Sequence, residues 1–100
     1  MERHFDEQLT VLKRTLIKMS ALSEAMISDA IRVLRDRDKS AIPRIREHED
    51  QVNLLQIEID ETCLRLIALY QPTAGDLRFI LGAVKTNSDL ERMADLAINI

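Results

Sequence analysis

Hydrophobic residues in the first third of the chain recur at alternating steps of three and four, which is the spacing of one face of an α-helix. The segment 5–36 has neither glycine nor proline. A single unbroken helix of about 50 Å is the simplest interpretation, at a rise of about 1.5 Å per residue. Ser23 is the one polar residue in this stripe, whose apolar members are Phe5, Leu9, Leu12, Leu16, Met19, Met26, Ala30 and Val33.

A second stripe with the same spacing follows the polar run RDRDKS. We expect Ser40 to cap this helix, because that start leaves Pro43 in the first turn, where a missing N–H does no harm. The pattern predicts a helix over about residues 41–70. Its stripe consists of Ile42, Ile45, Glu49, Val52, Gln56, Ile59, Cys63, Leu66 and Tyr70.

The segment QPTAGDL supplies a helix stop followed by a helix start. Pro72 disfavours helical geometry at Gln71, and Thr73 with Asp76 three residues later forms a capping-box pattern. A third helix is expected over about 74–100, with a buried face formed by Leu77, Leu81, Val84, Ser88, Glu91, Asp95 and Ile98. A second apolar stripe borders that face and contains Ala83, Leu90, Met93, Ala97 and Ile100.

Three helices of similar length joined by connections of a few residues must run antiparallel. The chain is therefore predicted to be all-α, a single up-down-up three-helix bundle over 1–100. Its helices are expected at about 4–37, 41–70 and 74–100.

Charge and composition narrow the function classes. A formal net charge of −3 provides no overall basic field for phosphates, which argues against general nucleic-acid binding. The start MERHFDEQ is charged where a secretion signal is apolar, and no apolar run approaches about 18 residues, so we expect a cytoplasmic protein. The lone Cys63 falls in an apolar stripe and is expected to be a core residue.

Carboxylates on the second and third helices are the candidate functional groups. In an antiparallel hairpin that turns near Pro72, Glu91 lies opposite Asn53 and Asp95 lies opposite Glu49. The spacing of four puts each pair on one helix face. Three carboxylates and one amide suit a hard or borderline cation such as Mg²⁺, Mn²⁺, Ca²⁺ or iron.

A surface salt-bridge cluster is the alternative interpretation of these four residues. Arg46 and Arg92 each lie within helical reach of one pair and could neutralise its charge. The residues alone leave both interpretations open.

The chain resembles the PhoU family of phosphate-signalling regulators along nearly its whole length. The resemblance includes the long first helix, the segment VNLLQIEIDETCLRLIA, the turn motif Gln-Pro-Thr-Ala-x-Asp-Leu-Arg and the run Asp-Leu-Glu-Arg-Met-x-Asp. It implies a three-helix repeat whose acidic E/D-x-x-x-D motifs bind metal, with iron or zinc favoured and manganese or magnesium as further candidates.

Carried over residue by residue, the resemblance places metal ligands at Glu91 and Asp95 and at Glu49 with Asn53. Asn53 departs from the acidic pattern, because it offers a carbonyl oxygen in place of a carboxylate. Ala94 stands where the family often has glycine.

The resemblance also implies a non-catalytic adaptor that couples a phosphate ABC transporter ATPase to a sensor histidine kinase and keeps starvation genes off when phosphate is plentiful. Family members usually carry two such repeats, so we expect a fragment of a longer protein or a half-size unit that forms a homodimer. Any membrane association is expected only through partners, and no nucleic-acid partner is expected.

Two enzyme classes and one binding class compete with this interpretation. Di-iron oxidases use a Glu-x-x-His pattern, which neither His4 nor His48 completes. Phosphotransfer through His48 is disfavoured, because its acidic neighbours would repel a phosphoryl donor. A metal-free helical oligomerisation or partner-binding domain is the main rival.

Overall fold

The computed structural model, which describes residues 2–99, contains three long helices. They are α1 (Glu2–Asp36), α2 (Ile42–Tyr70) and α3 (Ala74–Asn99), and a 3-10 turn at Lys39–Ala41 precedes α2. Each helix packs against the other two in a rod of 52 × 18 × 15 Å. The range 2–99 contains no strand, so the prediction of an all-α three-helix bundle is confirmed.

The stripes predicted for α1 and α2 form most of the core. Their buried apolar members are Phe5, Leu9, Leu12, Met19, Met26 and Ala30 on α1, and Ile45, Val52, Ile59, Cys63 and Leu66 on α2. Burial of one large apolar side chain contributes about 1.5–3 kcal/mol, so this double stripe is the main source of stability. Burial raises the pKa of the Cys63 thiol to about 11, which keeps Cys63 a protonated core residue at neutral pH.

The start of α2 differs from the prediction, because Ala41 precedes α2 without a side-chain cap, and Asp38 caps the 3-10 turn before it. The Asp38 carboxylate accepts a hydrogen bond from the Ser40 backbone N–H at 3.1 Å. A carboxylate is a stronger acceptor than a hydroxyl. Because Lys39–Ala41 form this 3-10 turn, α2 begins only at Ile42. Pro43 therefore still lies in the first turn of α2.

The connection between α2 and α3 is as short as the sequence indicates. Gln71 adopts a left-handed conformation with φ of 43°, and its backbone N–H donates to the Ile67 carbonyl at 3.1 Å. The Leu77 N–H donates to the Thr73 carbonyl at 3.1 Å and closes the first turn of α3. A linker of so few residues keeps α2 and α3 antiparallel and fixes which residues lie opposite each other.

The buried face of α3 is not the one predicted. It consists of Ile80, Ala83, Asn87, Leu90, Ala94 and Ala97. From Ile80 onward, each buried residue stands one position before a member of the predicted face, which corresponds to a rotation of about 100° about the helix axis. Leu81 is consequently 54% exposed and Val84 39% exposed.

The bordering stripe on α3 is buried only in part. Its members Ala83, Leu90 and Ala97 face the core, whereas Met93 is 36% exposed. Ile100, which was assigned to the same stripe, lies outside the described residues.

Two physical features favour the observed face of α3. Its three alanines allow close packing, and the buried Ser23 hydroxyl of α1 donates to the Leu90 carbonyl at 3.4 Å. The predicted face would also have carried Glu91 and Asp95 into the core. The effective cost of burying an unpaired charge is several kcal/mol, comparable with or larger than the gain from burying Leu81 and Val84.

A buried ion pair links α1 to α2 near their connecting turn. Asp29, whose side chain is only 5% exposed, accepts two hydrogen bonds from the Arg44 guanidinium at 2.7 and 2.9 Å. Arg32 adds a weaker contact at 3.5 Å. The hydrogen bonds from Arg44 hold the pKa of Asp29 below its ordinary value although burial opposes them, so Asp29 is ionised in the folded chain.

Membrane insertion of a helix has no support along the described chain. Between residues 2 and 99, none of the helices combines the length and the apolar character that a membrane crossing requires.

Replacing Asp29 with Asn should lower the free energy of unfolding at pH 7 by about 1 kcal/mol, because Arg44 loses a charged acceptor but is half-exposed and regains water. The folded-state pKa of Asp29 is depressed. Its contribution is therefore present above the unfolded pKa of about 3.9 and is lost as the pH falls through the lower folded value.

Urea denaturation at pH 7 and pH 3 measures this contribution. The difference between the Asp29→Asn variant and the parent chain should shrink at the lower pH. The exposed Asp36, paired with its neighbour Arg35, provides the control Asp36→Asn. An equal loss from Asp29→Asn at both pH values would contradict the assignment.

Candidate metal centre

The α2–α3 hairpin positions the four candidate ligands on its two helices. Glu49 and Asn53 lie on α2, and Glu91 and Asp95 lie on α3. Glu49, Asn53 and Glu91 are half-buried, and Asp95 is exposed. The rotation of α3 thus leaves its pair at the edge of the bundle, where an ion could reach it from solvent.

Glu91 is the most perturbed carboxyl of this group. Burial raises its pKa above the ordinary value, and hydrogen bonding and repulsion from Asp95 raise it further. Glu49 adds repulsion from across the hairpin, and Arg92 opposes these effects. The charges of Asp95 and Glu49 therefore both act on Glu91. This is expected if the antiparallel hairpin brings these carboxylates close together.

The four residues do not form a closed ligand set in this arrangement. Among residues 2–99, no three His, Cys, Asp or Glu side chains stand close enough together to hold a metal ion. The structure brings Glu91 and Asp95 together, while Glu49 acts on Glu91 only through its charge. Asn53 is half-buried on the α2 side of the hairpin.

Arginine side chains do not neutralise this group by direct ion pairing. The ion pairs within the described part of the chain join other residues, and none connects Arg46 or Arg92 to the candidate carboxylates. Arg92 influences Glu91 through charge alone. The salt-bridge interpretation of this group therefore has no direct ion pair to support it among residues 2–99.

The donor chemistry fits a hard or borderline cation. All four side chains offer oxygen, and the raised pKa of Glu91 shows that its ionised form is disfavoured beside Asp95 and Glu49. A bound cation would reverse that effect, because it favours the ionised form of every carboxylate near it. The long Glu49 side chain would have to rotate toward α3 to join the pair.

Two polar residues that the sequence did not single out have defined roles in the structure. Asn87 is buried and bonds from α3 to Gln56 and Asp60 on α2, and Asp29 forms the ion pair with Arg44 described above. Asn87 stands two positions before the run Asp-Leu-Glu-Arg-Met-x-Asp that resembles the family. Its burial could have been inferred from the spacing of Ala83, Leu90 and Ala97.

His48, the alternative phosphotransfer residue, is less accessible than its polar neighbours suggest. It is half-buried, its Nδ1 atom is buried without a hydrogen-bond partner, and its charge acts on Asp29. A phosphoryl acceptor nitrogen must be reached by its donor, so the buried Nδ1 does not support phosphotransfer at that atom.

Comparison with known proteins extends over most of the chain. The model of the PhoU domain matches residues 16–100. The phosphate-specific transport system accessory protein PhoU of Serratia marcescens is 38% identical over 96 residues, which are 96% of this chain and 40% of that protein.

Two further relatives show the same partial coverage. The PhoU homologue of Aquifex aeolicus (strain VF5) is 42% identical over 94 residues, 94% of this chain and 42% of that protein. PhoU of Escherichia coli (strain K12) is 36% identical over 96 residues, 96% of this chain and 40% of that protein. This chain therefore spans about 40% of the length of these curated relatives.

Replacing Glu91 with Gln should raise the free energy of unfolding at pH 7 by about 0.5 kcal/mol when a chelator is present, because like charges four residues apart on a helix repel. The folded-state pKa of Glu91 is raised. Its favourable contribution is therefore present below the unfolded pKa of about 4.3 and is lost as the pH rises through the higher folded value.

Urea denaturation at pH 4 and pH 7 measures this effect. The gain should be larger at pH 7, and Glu58→Gln, which changes an exposed carboxylate elsewhere on α2, should show little change. A Glu91→Gln variant that is less stable than the parent chain at pH 7 would refute the repulsion.

Proposed function

The chain belongs to the PhoU family, and we propose that it acts as a non-catalytic regulator of phosphate uptake and phosphate-starvation signalling. The observation that carries the proposal is the match of the PhoU domain over residues 16–100. It is supported by relatives that are named phosphate-specific transport system accessory proteins. In this role the chain is a cytoplasmic adaptor between a phosphate ABC transporter ATPase and a sensor histidine kinase.

An adaptor acts through its surfaces, and the bundle has suitable ones. Several large apolar side chains point outward on all three helices, including Ile17 at 69%, Leu54 at 70% and Leu64 at 70% exposure. Exposed apolar surface of this kind favours binding to a protein partner or to a second copy. Homodimer formation and membrane association through partners alone are part of the proposal.

The proposed metal site is the Glu49, Asn53, Glu91 and Asp95 group. Its support is the crowding of Glu91 by Asp95 and Glu49 together with the all-oxygen donor set. Iron or zinc are the first candidates, and manganese or magnesium suit the same oxygen ligands. A bound cation would link α2 to α3 and would reduce the negative charge that the hairpin presents to a partner.

A metal-free helical domain for oligomerisation or partner binding is the second candidate function. The observation in its favour is that no three potential ligands among residues 2–99 are already gathered for a metal, whereas the apolar residues are already exposed. The two candidates differ in whether the chain binds metal stoichiometrically.

The metal proposal predicts that the chain, after its metal has been removed with a chelator, binds Fe²⁺, Zn²⁺ or Mn²⁺. Binding should increase its thermal stability. At a free metal concentration 100 times Kd, one site adds about 2.7 kcal/mol to the free energy of unfolding. The double variant Glu91→Ala with Asp95→Ala should lose both the uptake and the gain. Calorimetric titration and melting curves with and without metal measure these effects.

The matched control for the metal test is Glu58→Ala with Asp89→Ala, which removes two exposed carboxylates outside the group. This control should bind metal like the parent chain. Stoichiometric binding that survives in the Glu91 and Asp95 double variant would refute the site. A parent chain whose melting temperature and metal content do not respond to chelation would favour the metal-free candidate.

The adaptor proposal predicts that the complete protein in which this chain occurs retains both the transporter ATPase and the sensor kinase of its own organism in a pull-down assay. Replacing the exposed Leu54 and Leu64 with Ser should weaken that retention, because these side chains present apolar surface to solvent. The same change at Asp6 and Glu7, exposed on α1, is the control. Retention of neither protein would refute the adaptor role.

A further inference from the structure

The α2–α3 hairpin has a groove on each of its two sides, and α1 covers only one of them. On the covered side, Arg44 of α2 donates to Asp29 of α1. The Ser23 hydroxyl of α1 donates to the Leu90 carbonyl of α3 on that side. Among residues 2–99 there is no further helix to cover the opposite groove.

A hydrogen bond between the two helices shows which α2 side chains border the open groove. Asp60 accepts this bond from Asn87 of α3 at 2.9 Å, so the face of α2 with Asp60 is turned toward α3. Ile57 and Leu64 stand three positions before and four positions after Asp60 and therefore share this face. They are 55% and 70% exposed, which places them on its outer side.

The charge of Glu49 identifies the corresponding face of α3. It acts on Glu91 from across the hairpin, so the face of α3 with Glu91 is turned toward α2. Leu77, Leu81 and Val84 precede Glu91 at heptad spacing and share its face. Leu77 is half-buried, and the other two are exposed.

These residues define an open surface that we call the hairpin groove, with an apolar end and an acidic end. The apolar end lies near the α2–α3 turn, where the antiparallel register places Leu64 beside Leu81; its members are Ile57, Leu64, Leu77, Leu81 and Val84. Asp60, Glu61 and Lys85 lie along the middle of the groove. At the acidic end, four carboxylates outnumber the cations Arg46 and Arg92; they belong to Glu49, Asp50, Glu91 and Asp95.

The shape of the hairpin groove suits an α-helix. Apolar residues at heptad spacing on two antiparallel helices form the kind of surface that receives the side chains of a further helix. The groove runs from Leu77 to Asp95, a distance of about 27 Å at a rise of about 1.5 Å per residue. A helix of about 18 residues has this length.

A second copy of this chain fits the hairpin groove poorly. If two grooves pair in parallel, their acidic ends meet, and if they pair antiparallel, each acidic end meets an apolar end. Both arrangements bury carboxylates without a partner, which is costly. The α1 helix of another copy lacks a matching stripe, because its exposed apolar residues are spaced by 6, 14 and 3 positions; they are Val11, Ile17, Ile31 and Leu34.

We propose that the hairpin groove binds an amphipathic α-helix of a protein partner. That helix places apolar residues against the apolar end and Lys or Arg against the acidic end. Cations are favoured at the C-terminus of a helix, so the bound helix runs parallel to α3. The identity of the natural partner rests on the proposed adaptor function, whereas the binding preference of the groove does not.

A synthetic helical peptide of three heptads tests this preference directly. Its a and d positions carry leucine in the first two heptads and lysine in the third, and a fluorophore reports binding by anisotropy. With EDTA present to exclude metal, the chain should bind this peptide saturably and one to one. A peptide with glutamate in place of the lysines should bind about tenfold more weakly, because like charges then meet at the acidic end.

Matched double variants locate the binding surface on the chain. Leu64→Ser with Val84→Ser should weaken binding of the lysine peptide by at least about tenfold, because two large apolar contacts are lost. The control is Leu69→Ser with Met93→Ser. Leu69 and Met93 are 66% and 36% exposed, close to the residues they match, but they lie on other sides of α2 and α3. The control should bind like the parent chain, and circular dichroism should show that both variants are folded.

Three results would overturn the proposal: no saturable binding, equal weakening in both double variants, or a dimer of the parent chain that Leu64→Ser with Val84→Ser abolishes. The last result would assign the groove to a second copy. A complete protein that does not bind the peptide, although the 100-residue chain does, would assign it to another segment of the same protein and would also overturn the proposal. Peptide binding as expected, with neither the transporter ATPase nor the sensor kinase retained in the pull-down, would support the groove and refute the adaptor role.

Discussion

The rotation of α3 about its own axis decides what the α2–α3 hairpin presents to solvent. The helix buries Ile80, Leu90, three alanines and Asn87, and it leaves Leu81 and Val84 outside. At the same rotation, Glu91 is half-buried and Asp95 is exposed. A rotation of about 100° would reverse this arrangement, burying two carboxylates in order to bury two apolar side chains. The observed rotation therefore buries an apolar face of α3 without burying either carboxylate.

The first two helices follow the sequence closely because each has one dominant stripe. On α1 the residues Phe5, Leu12 and Met19 repeat at heptad spacing with no competing apolar face, and their burial is what the pattern predicts. On α2 the same holds for Ile45, Val52 and Ile59. Hydrophobic periodicity is a sufficient guide where a single rotation buries every large apolar residue.

The same reasoning fails for α3, because apolar residues recur along two neighbouring faces of this helix. Counting favoured the face with Leu81 and Val84, since alanine and asparagine add little apolar weight. What selects the other face is not visible in a periodicity count. It depends on the close approach of Ser23 to the Leu90 backbone and on a hydrogen bond from Asn87 to a residue 27 positions away. Part of the choice was readable from α3 alone, because the face with Leu81 and Val84 also carries Glu91 and Asp95. Pairing across helices supplies the rest.

For the candidate ligands too, one part of the arrangement follows from the sequence and another part is seen only in the structure. Spacing of four places Glu91 beside Asp95, and Glu49 lies close enough across the hairpin for its charge to act on Glu91. Side-chain convergence was not predictable, because it depends on rotamers that an ion itself would select. The start of α2 is a smaller case, because a 3-10 turn capped by Asp38 precedes this helix and the residue pattern did not predict that turn.

Two carboxylates in this bundle have pKa values that are shifted in opposite directions, and the contrast bears on the proposed metal site. Asp29 is buried, yet the Arg44 guanidinium keeps its pKa low. For Glu91, burial and the neighbouring Asp95 raise the pKa. The Asp29 carboxylate has an arginine partner within the bundle, whereas no ion pair to Glu91 is found among residues 2–99. A cation bound there would add to α2–α3 the kind of link that Asp29 and Arg44 already provide between α1 and α2, beside the exposed Leu81 and Val84. Metal occupancy and partner binding at this hairpin would then depend on the same rotation of α3.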